Sequence, residues 1–352
     1  MAKLTQPRKR RTTRSIEDLP NLFDSVEIDM TRRDIAGDVL ERAERQRHVS
    51  ESANDQALEI NSEALKRPEA IRFLSFGSGS SGNCSYIGTS RGGILIDAGV
   101  DNKKVEKDLK DNGIEMATIA GIILTHDHSD HVRFAYSLLR ANKHLRLFCT
   151  PRALNGLLRR HSISRRIKDY HKAIYKEIPF EAGGLTITAF ETSHDGSDNM
   201  GFSIERDNHK FVIVTDTGYI TERADFYLRR ARYAVIETDY DLNMLHANPT
   251  YPEYLKARIA GPSGHMDNAD TASYLANILS DPENPTPLRH IFLCHLSELN
   301  NTPEIAMRAV RKALEEIGLN VGDATGSPVA ISSDIQLAVL PRFAPSPLYI
   351  FR

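Results

Sequence analysis

Hydrophobic and polar positions are patterned differently on the two sides of Pro68. Before it, charged and polar residues alternate with few aromatics, and six of the first fourteen residues are basic (Lys3, Arg8, Lys9, Arg10, Arg11, Arg14). Such a stretch cannot bury enough apolar surface to offset the entropy of ordering, so residues 1–70 are expected to form a disordered basic and polar arm. Within it Thr31, answered by Asp34, could start a weak helix over Thr31–Arg47. The arm is equally compatible with a solvated tail and with a loose nucleic-acid tether. From Ile71 short β-rich runs broken by glycine take over, and helical periods follow. The pattern predicts strands over 71–76, 84–88, 93–97, 120–125, 145–149, 185–190, 201–206, 210–215, 232–237 and 289–294. It predicts helices over 102–112, 130–142, 151–160, 221–231, 250–259, 267–279 and 303–317. Early strands come in pairs and later ones alternate with helices, so two packed sheets covered by helices on both outer faces satisfy the order. Residues 71–352 read as one domain without an internal repeat.

Composition narrows the class. The chain has 352 residues, 40% hydrophobic and 26% charged, which is ordinary for a water-soluble globular protein. No apolar run approaches the roughly 20 residues of a membrane helix. The basic N-terminus has no apolar segment behind it, so a secretory signal is not expected. Cys84, Cys149 and Cys294 are too scattered for a disulfide framework or a cysteine-based zinc site, and a cytoplasmic location follows as the expectation. A net charge of −2 averages over local fields and says nothing about partners.

The most informative stretch is Thr125-His126-Asp127-His128-Ser129-Asp130-His131. It follows a buried strand and precedes a helix. A strand-to-helix loop can turn His126 and His128 toward one ion, with Asp130 and His131 facing a second beside it. Imidazole and carboxylate donors suit zinc, manganese or iron. Two such ions can polarise a phosphoryl or carbonyl oxygen and activate water at neutral pH. Chance placement of three histidines and an aspartate at these spacings is expected on the order of once in a thousand such chains. Four side chains are too few for two ions. His194, Asp216 and His295 each stand where a strand-like run gives way to a loop, and they complete the set.

That order of motifs closely resembles the metallo-β-lactamase superfamily. The resemblance implies an αββα four-layer sandwich and two divalent ions. One ion would be held by His126, His128 and His194, the other by Asp130, His131 and His295, with Asp216 bridging. Asp97, in Ile94-Leu95-Ile96-Asp97-Ala98-Gly99, corresponds to the superfamily's supporting aspartate. True β-lactamases of this fold usually carry cysteine where Asp216 stands, so the phosphodiesterase, glyoxalase and lactonase branches are closer.

Further stretches resemble the YycJ group (also called WalJ or VicX) of DNA exonuclease-like members: Gly77–Asn83, Tyr251–Ile259 leading to Gly264-His265-Met266-Asp267-Asn268, and Cys294–Ser297 running on to Asn300–Glu304, together with Glu237 and Met244-Leu245. One departure is Asp239-Tyr240-Asp241, where many members have Asn-His-Asp, so Tyr240 takes no catalytic role. Related tRNA-processing nucleases pair a glutamate after a strand with a Gly-His motif, which Glu237 and His265 match. Asp130, Glu237 and His265 are accordingly the candidate catalytic residues. Ser80, Ser81 and Asn83 of the glycine-serine loop are candidate phosphate contacts.

Charge supports a polyanionic substrate. Between Val132 and Lys176 stand twelve Lys or Arg and one acid, Asp169, and a one-signed run next to the metal loop suits a nucleic-acid backbone. Arg159, Arg160, Arg165 and Arg166 form its dense part, and Tyr170 and Tyr175 could stack on bases. The expected function is two-metal hydrolysis of DNA, 5′-to-3′ by resemblance. The rivals are a small-molecule ester, thioester, lactone or cyclic-phosphodiester hydrolase, and a non-enzymatic regulator. Oligomeric state is left open.

Overall fold

Phe211 and Ile213 contribute to a different apolar cluster from Val212 and Val214, although the four are consecutive in one strand. The same split separates Tyr233 and Val235 from Ala234 and Ile236, and Phe292 and Cys294 from Ile291 and Leu293. Strands buried on both faces need a layer on each side. The computed structural model describes residues 69–326 and 332–352 and supplies both layers. The arm and the helix expected at Thr31–Arg47 fall outside the described residues, apart from Glu69 and Ala70.

The first sheet contains β1 (Ile71–Gly77), β2 (Cys84–Gly88), β3 (Gly93–Ile96), β4 (Ile119–Ile123), β5 (Arg146–Cys149) and β6 (His171–Ala173). The second runs from β7 (Phe180–Ala182), β8 (Leu185–Glu191), β9 (Met200–Arg206) and β10 (His209–Val214) to β11 (Tyr233–Glu237), β12 (His290–Cys294), β13 (Val321–Asp323) and β14 (Ile335–Val339). A last strand, β15 (Tyr349–Phe351), returns to the first sheet and pairs with β1. Strand orders are β15-β1-β2-β3-β4-β5-β6 and β13-β14-β12-β11-β10-β9-β8-β7. Aromatic side chains join the sheets, with Phe73 ring centroids 4.9 Å from Phe211 and 5.0 Å from Phe292.

Helices α1 (Asn102–Asp111), α2 (Ser129–Val132), α3 (Ala135–Ala141) and α4 (Pro151–Arg160) belong with the first sheet. Connecting strands of the second sheet are α5 (Glu222–Leu228), α6 (Leu242–Ala247), α7 (Glu253–Ile259), α8 (Asn268–Ser280) and α9 (Pro303–Glu316). Buried residues of α5, α8 and α9 share one cluster with the outward side chains of the second sheet. The expected αββα sandwich is therefore the architecture. Among the described residues no helix is long and apolar enough to cross a membrane.

Several details differ from the sequence pattern, among them the short strands β6 and β7 and helix α6, where no element was predicted. The helix predicted over 130–142 breaks at Phe134, because the carbonyls of Asp130 and His131 accept from the amides of Asn83 and Ala98 at 2.8 and 2.7 Å, and the Phe134 amide bonds to Ala98 at 2.9 Å. The chain's final strands, β13, β14 and β15, carry no predicted element, being short or interrupted by a polar residue such as Gln336.

Strand direction positions the site. β1, β3 and β4 run in one sense in the first sheet, as do β8, β10, β11 and β12 in the second. Their C-terminal ends share one edge of the sandwich, where open sheets present ligand-binding loops. Cross-sheet hydrogen bonds close that edge: Met200 N to Thr125 O at 2.9 Å and His295 N to Ser78 Oγ at 2.9 Å.

Candidate metal centre

Every one of the seven expected ligands leaves the C-terminal end of a strand. His126, His128, Asp130 and His131 follow β4, His194 follows β8, Asp216 follows β10 and His295 follows β12. Asp97, Asp216 and His295 have φ values of 60°, 53° and 57°, a left-handed conformation that non-glycine residues hold only when their surroundings impose it. The sharp turn after each strand points its side chain back into the edge. Gly99 is needed for a related reason: a Cβ there would lie 1.5 Å from the Asp130 carbonyl oxygen.

Asp216 is at the centre. Its Oδ1 lies 3.9 Å from His126 Nε2, 3.9 Å from His194 Nε2 and 3.3 Å from His295 Nε2, and its Oδ2 lies 3.3 Å from His131 Nε2. His128 Nδ1 faces His194 Nε2 at 3.2 Å. Asp130 Oδ2 is 3.5 Å from His131 Nε2 and 3.6 Å from His295 Nε2. The side chains thus gather into His126-His128-His194 and Asp130-His131-His295, with Asp216 within reach of both.

Neighbouring groups orient these rings. His194 Nδ1 donates to the Gly264 carbonyl at 2.9 Å, which leaves Nε2 with its lone pair toward Asp216. His131 Nδ1 donates to Asp97 Oδ2 at 2.7 Å, and Asp97 also accepts from the Thr125 amide and hydroxyl at 2.9 Å each. Such partners fix the tautomer of a metal-binding histidine. His128 Nε2 lies 3.1 Å from Asp195 Oδ1, and Arg258 grips the other Asp195 oxygen at 2.6 and 2.7 Å. Asp195 has no counterpart in the motifs read from the sequence. It adjoins His194, but its partner on the far side lies well along the chain.

Donor chemistry fits divalent ions. His126 Nε2 and both ring nitrogens of His295 are buried without a hydrogen-bond partner, a costly state unless another ligand satisfies them. Burial, aided by the neighbouring imidazoles, pulls His126 well below the usual histidine range and His128 down to about 4. Both are therefore neutral, as ligands must be. Burial opposes ionisation of Asp216, but the surrounding histidines outweigh it and keep the carboxylate charged.

Glu237, the last residue of β11, is fully buried. Its Oε1 accepts from His265 Nδ1 at 2.7 Å and its Oε2 from the Thr217 amide at 2.7 Å. Burial disfavours a charged His265, yet the carboxylates of Glu237 and Asp239 push it up to about 9. The ring stacks on His295 at a 10° interplanar angle.

These groups floor an open cleft of about 380 Å³ lined by Asp130, Asp216, His265 and His295. Of the proposed phosphate contacts, Ser80 and Arg160 line it. Ser81, Asn83, Arg159, Arg165 and Arg166 do not. Asn83 is buried, and its amide nitrogen donates to Gly79 O at 3.0 Å and lies 2.9 Å from His131 Nε2, so it braces the loop from within. Arg159, Arg165 and Arg166 are exposed at the end of α4 and on the 3₁₀ turn that follows. Tyr240 is buried away from the cleft, bridged by its backbone to Asp267. Arg258, Tyr251, Leu255 and Ile259 do line it, though sequence patterning offered no reason to place them there.

A profile described as the beta-lactamase superfamily domain matches residues 93–281. Together with the fold and the clustered histidines and aspartates, that match means the chain belongs to the metallo-β-lactamase superfamily of metal-dependent hydrolases. Within it, the chain is similar to exodeoxyribonuclease YycJ of Bacillus anthracis, 32% identical over 255 residues that make up 72% of this chain and 93% of that protein. Exodeoxyribonuclease WalJ of Streptococcus pneumoniae serotype 2 is 29% identical over 253 residues, 72% of this chain and 91% of that one. Among solved structures, the metallo-β-lactamase fold protein YhfI from Bacillus subtilis shares the fold at a TM-score of 0.53 and 15% identity, covering 80% of this chain and 99% of its own.

Proposed function

We propose that this protein is a cytoplasmic exonuclease that hydrolyses DNA phosphodiester bonds from the 5′ end with two divalent ions, zinc or manganese. The observation that carries the reading is an open cleft reached by His128, Asp130, Asp216 and His295 of the seven metal-type side chains, which cluster at its floor, with Arg160 and Arg258 on its walls. Its relatives named as exodeoxyribonucleases support the choice of DNA. Divalent ions held there lower the pKa of water toward neutrality and offset charge developing on a phosphoryl oxygen.

The protein's own residues do the rest. His126, His128 and His194 form one ligand set and Asp130, His131 and His295 the other, with Asp216 shared. Asp97 and the Gly264 carbonyl hold His131 and His194 in the tautomers that expose Nε2. Glu237 keeps His265 protonated at Nδ1 and steadies the ring, whose free edge lines the cleft and gives a proton to the leaving oxygen. Arg160 and Arg258 attract the phosphate backbone.

Incubating the metal-loaded chain with 5′- and 3′-labelled single- and double-stranded DNA, and in parallel with generic esters and thioesters, tests this reading. The expected result is DNA hydrolysis that starts at the 5′ end and is lost in Asp216→Asn. Ester turnover without DNA cleavage under manganese, zinc or magnesium would make it a small-molecule hydrolase.

A further inference from the structure

Helix α7 has no buried residue, although Leu255 and Ile259 give it an apolar edge. Leu255 and Ile259 lie four positions apart and share a face, and Tyr251 stands just before the helix, ahead of its cap Pro252. All three line the catalytic cleft. An amphipathic helix normally turns its apolar stripe to a core. This one turns it to the open space above the metal-type side chains, while Glu253, Tyr254 and Ala257 face solvent. A persistent apolar strip beside a polar site marks a surface that a ligand covers.

The neighbouring groups define that ligand. Arg258 stands between Leu255 and Ile259 on the same helix, and Arg160, Ser80 and Ser297 border the same cleft. An occupant must thus combine a flat or apolar part with negative charge. A volume of about 380 Å³ suits one nucleotide rather than a base pair with both strands. The wall is also joined to the proposed proton donor, since the His265 amide bonds to the Ile259 carbonyl at 2.8 Å.

We propose that Tyr251–Ile259 forms a nucleoside subsite that takes the unpaired base next to the scissile phosphate; this rests on the phosphodiesterase reading above. The base stacks on Tyr251 and packs against Leu255 and Ile259 while its phosphate reaches the floor. A base must leave the helical stack to do so, so single-stranded or frayed ends are better substrates than blunt duplex ends.

The test pairs removal of the base with removal of the wall, in the metal-loaded full chain. Wild type and a Tyr251→Ala/Ile259→Ala variant are each given a single-stranded oligonucleotide with either a normal or an abasic 5′-terminal residue. Wild type is expected to process the abasic end about tenfold more slowly, and the variant to treat both ends alike, with its melting temperature unchanged. Equal discrimination in both proteins, or none in wild type, overturns the subsite while leaving the nuclease reading intact. No cleavage of either oligonucleotide by wild type overturns the phosphodiesterase reading and the subsite with it. If the double variant is unstable, Leu255→Ser is read in the same way.

Discussion

His126, His131, Asp216 and His295 are each at most 3% exposed, locked by strand ends and by partners such as Asp97. A short distance up the same cleft, α7 buries no residue, and Tyr254 is 77% exposed. The floor is over-determined, with strained backbone at Asp216 and His295 held in place by two packed sheets. The wall is held by a few polar contacts, among them Lys256 Nζ to the His246 carbonyl at 2.8 Å and Arg258 to Asp195. A fold that fixes its metal-type side chains so firmly can vary the wall beside them without losing the chemistry. Asp195 joins the two through side chains, because it faces His128 on the floor and Arg258 on the wall, and the Ile259 carbonyl joins them again through the His265 amide.

The largest effect is expected at the centre of the floor. Asp216→Asn should lower DNA hydrolysis by about 10³-fold or more and leave fewer than two ions per chain, measured by elemental analysis after reconstitution. His265→Ala should cost roughly 10²–10⁴-fold in kcat while metal content stays at two, because its task is proton transfer. Asp195→Asn should weaken metal affinity about 10–100-fold in a competition titration with a chromogenic chelator. Equal metal affinity in Asp195→Asn and wild type would show that the Arg258–Asp195 link of the wall does not support the floor. At the wall itself, Leu255→Ser should change stability by no more than about 0.5 kcal/mol in urea unfolding. By contrast, Leu275→Ala in the fully buried stripe of α8 should cost about 2–5 kcal/mol.

The same division decides what could be read from the sequence. His126 to His131 are contiguous, and His194, Asp216 and His295 each end an apolar run, so the floor was legible as motif and spacing. The layer order was legible because β10, β11 and β12 are apolar on both faces. The wall was legible only as a resembling stretch, Tyr251–Ile259, because Leu255 and Ile259 are spaced as in any core-facing helix until the cleft is seen beside them. The run of basic residues revealed its charge but not its direction. Arg160 turns to the cleft, whereas Arg159, Arg165 and Arg166 lie along the outer surface. Asp195 was invisible because its meaning depends on an arginine 63 residues away. The break at Phe134 was hidden too, as it arises from hydrogen bonds to Asn83 and Ala98 on other loops.

Paired ligand sets sharing Asp216 are proposed to drive phosphodiester hydrolysis. Titrating manganese or zinc into chelator-stripped full chain while following mononucleotide release from 5′-labelled DNA tests this most directly. Release should stay low through the first equivalent and rise with the second. Full activity at one equivalent, or none at any, would contradict it.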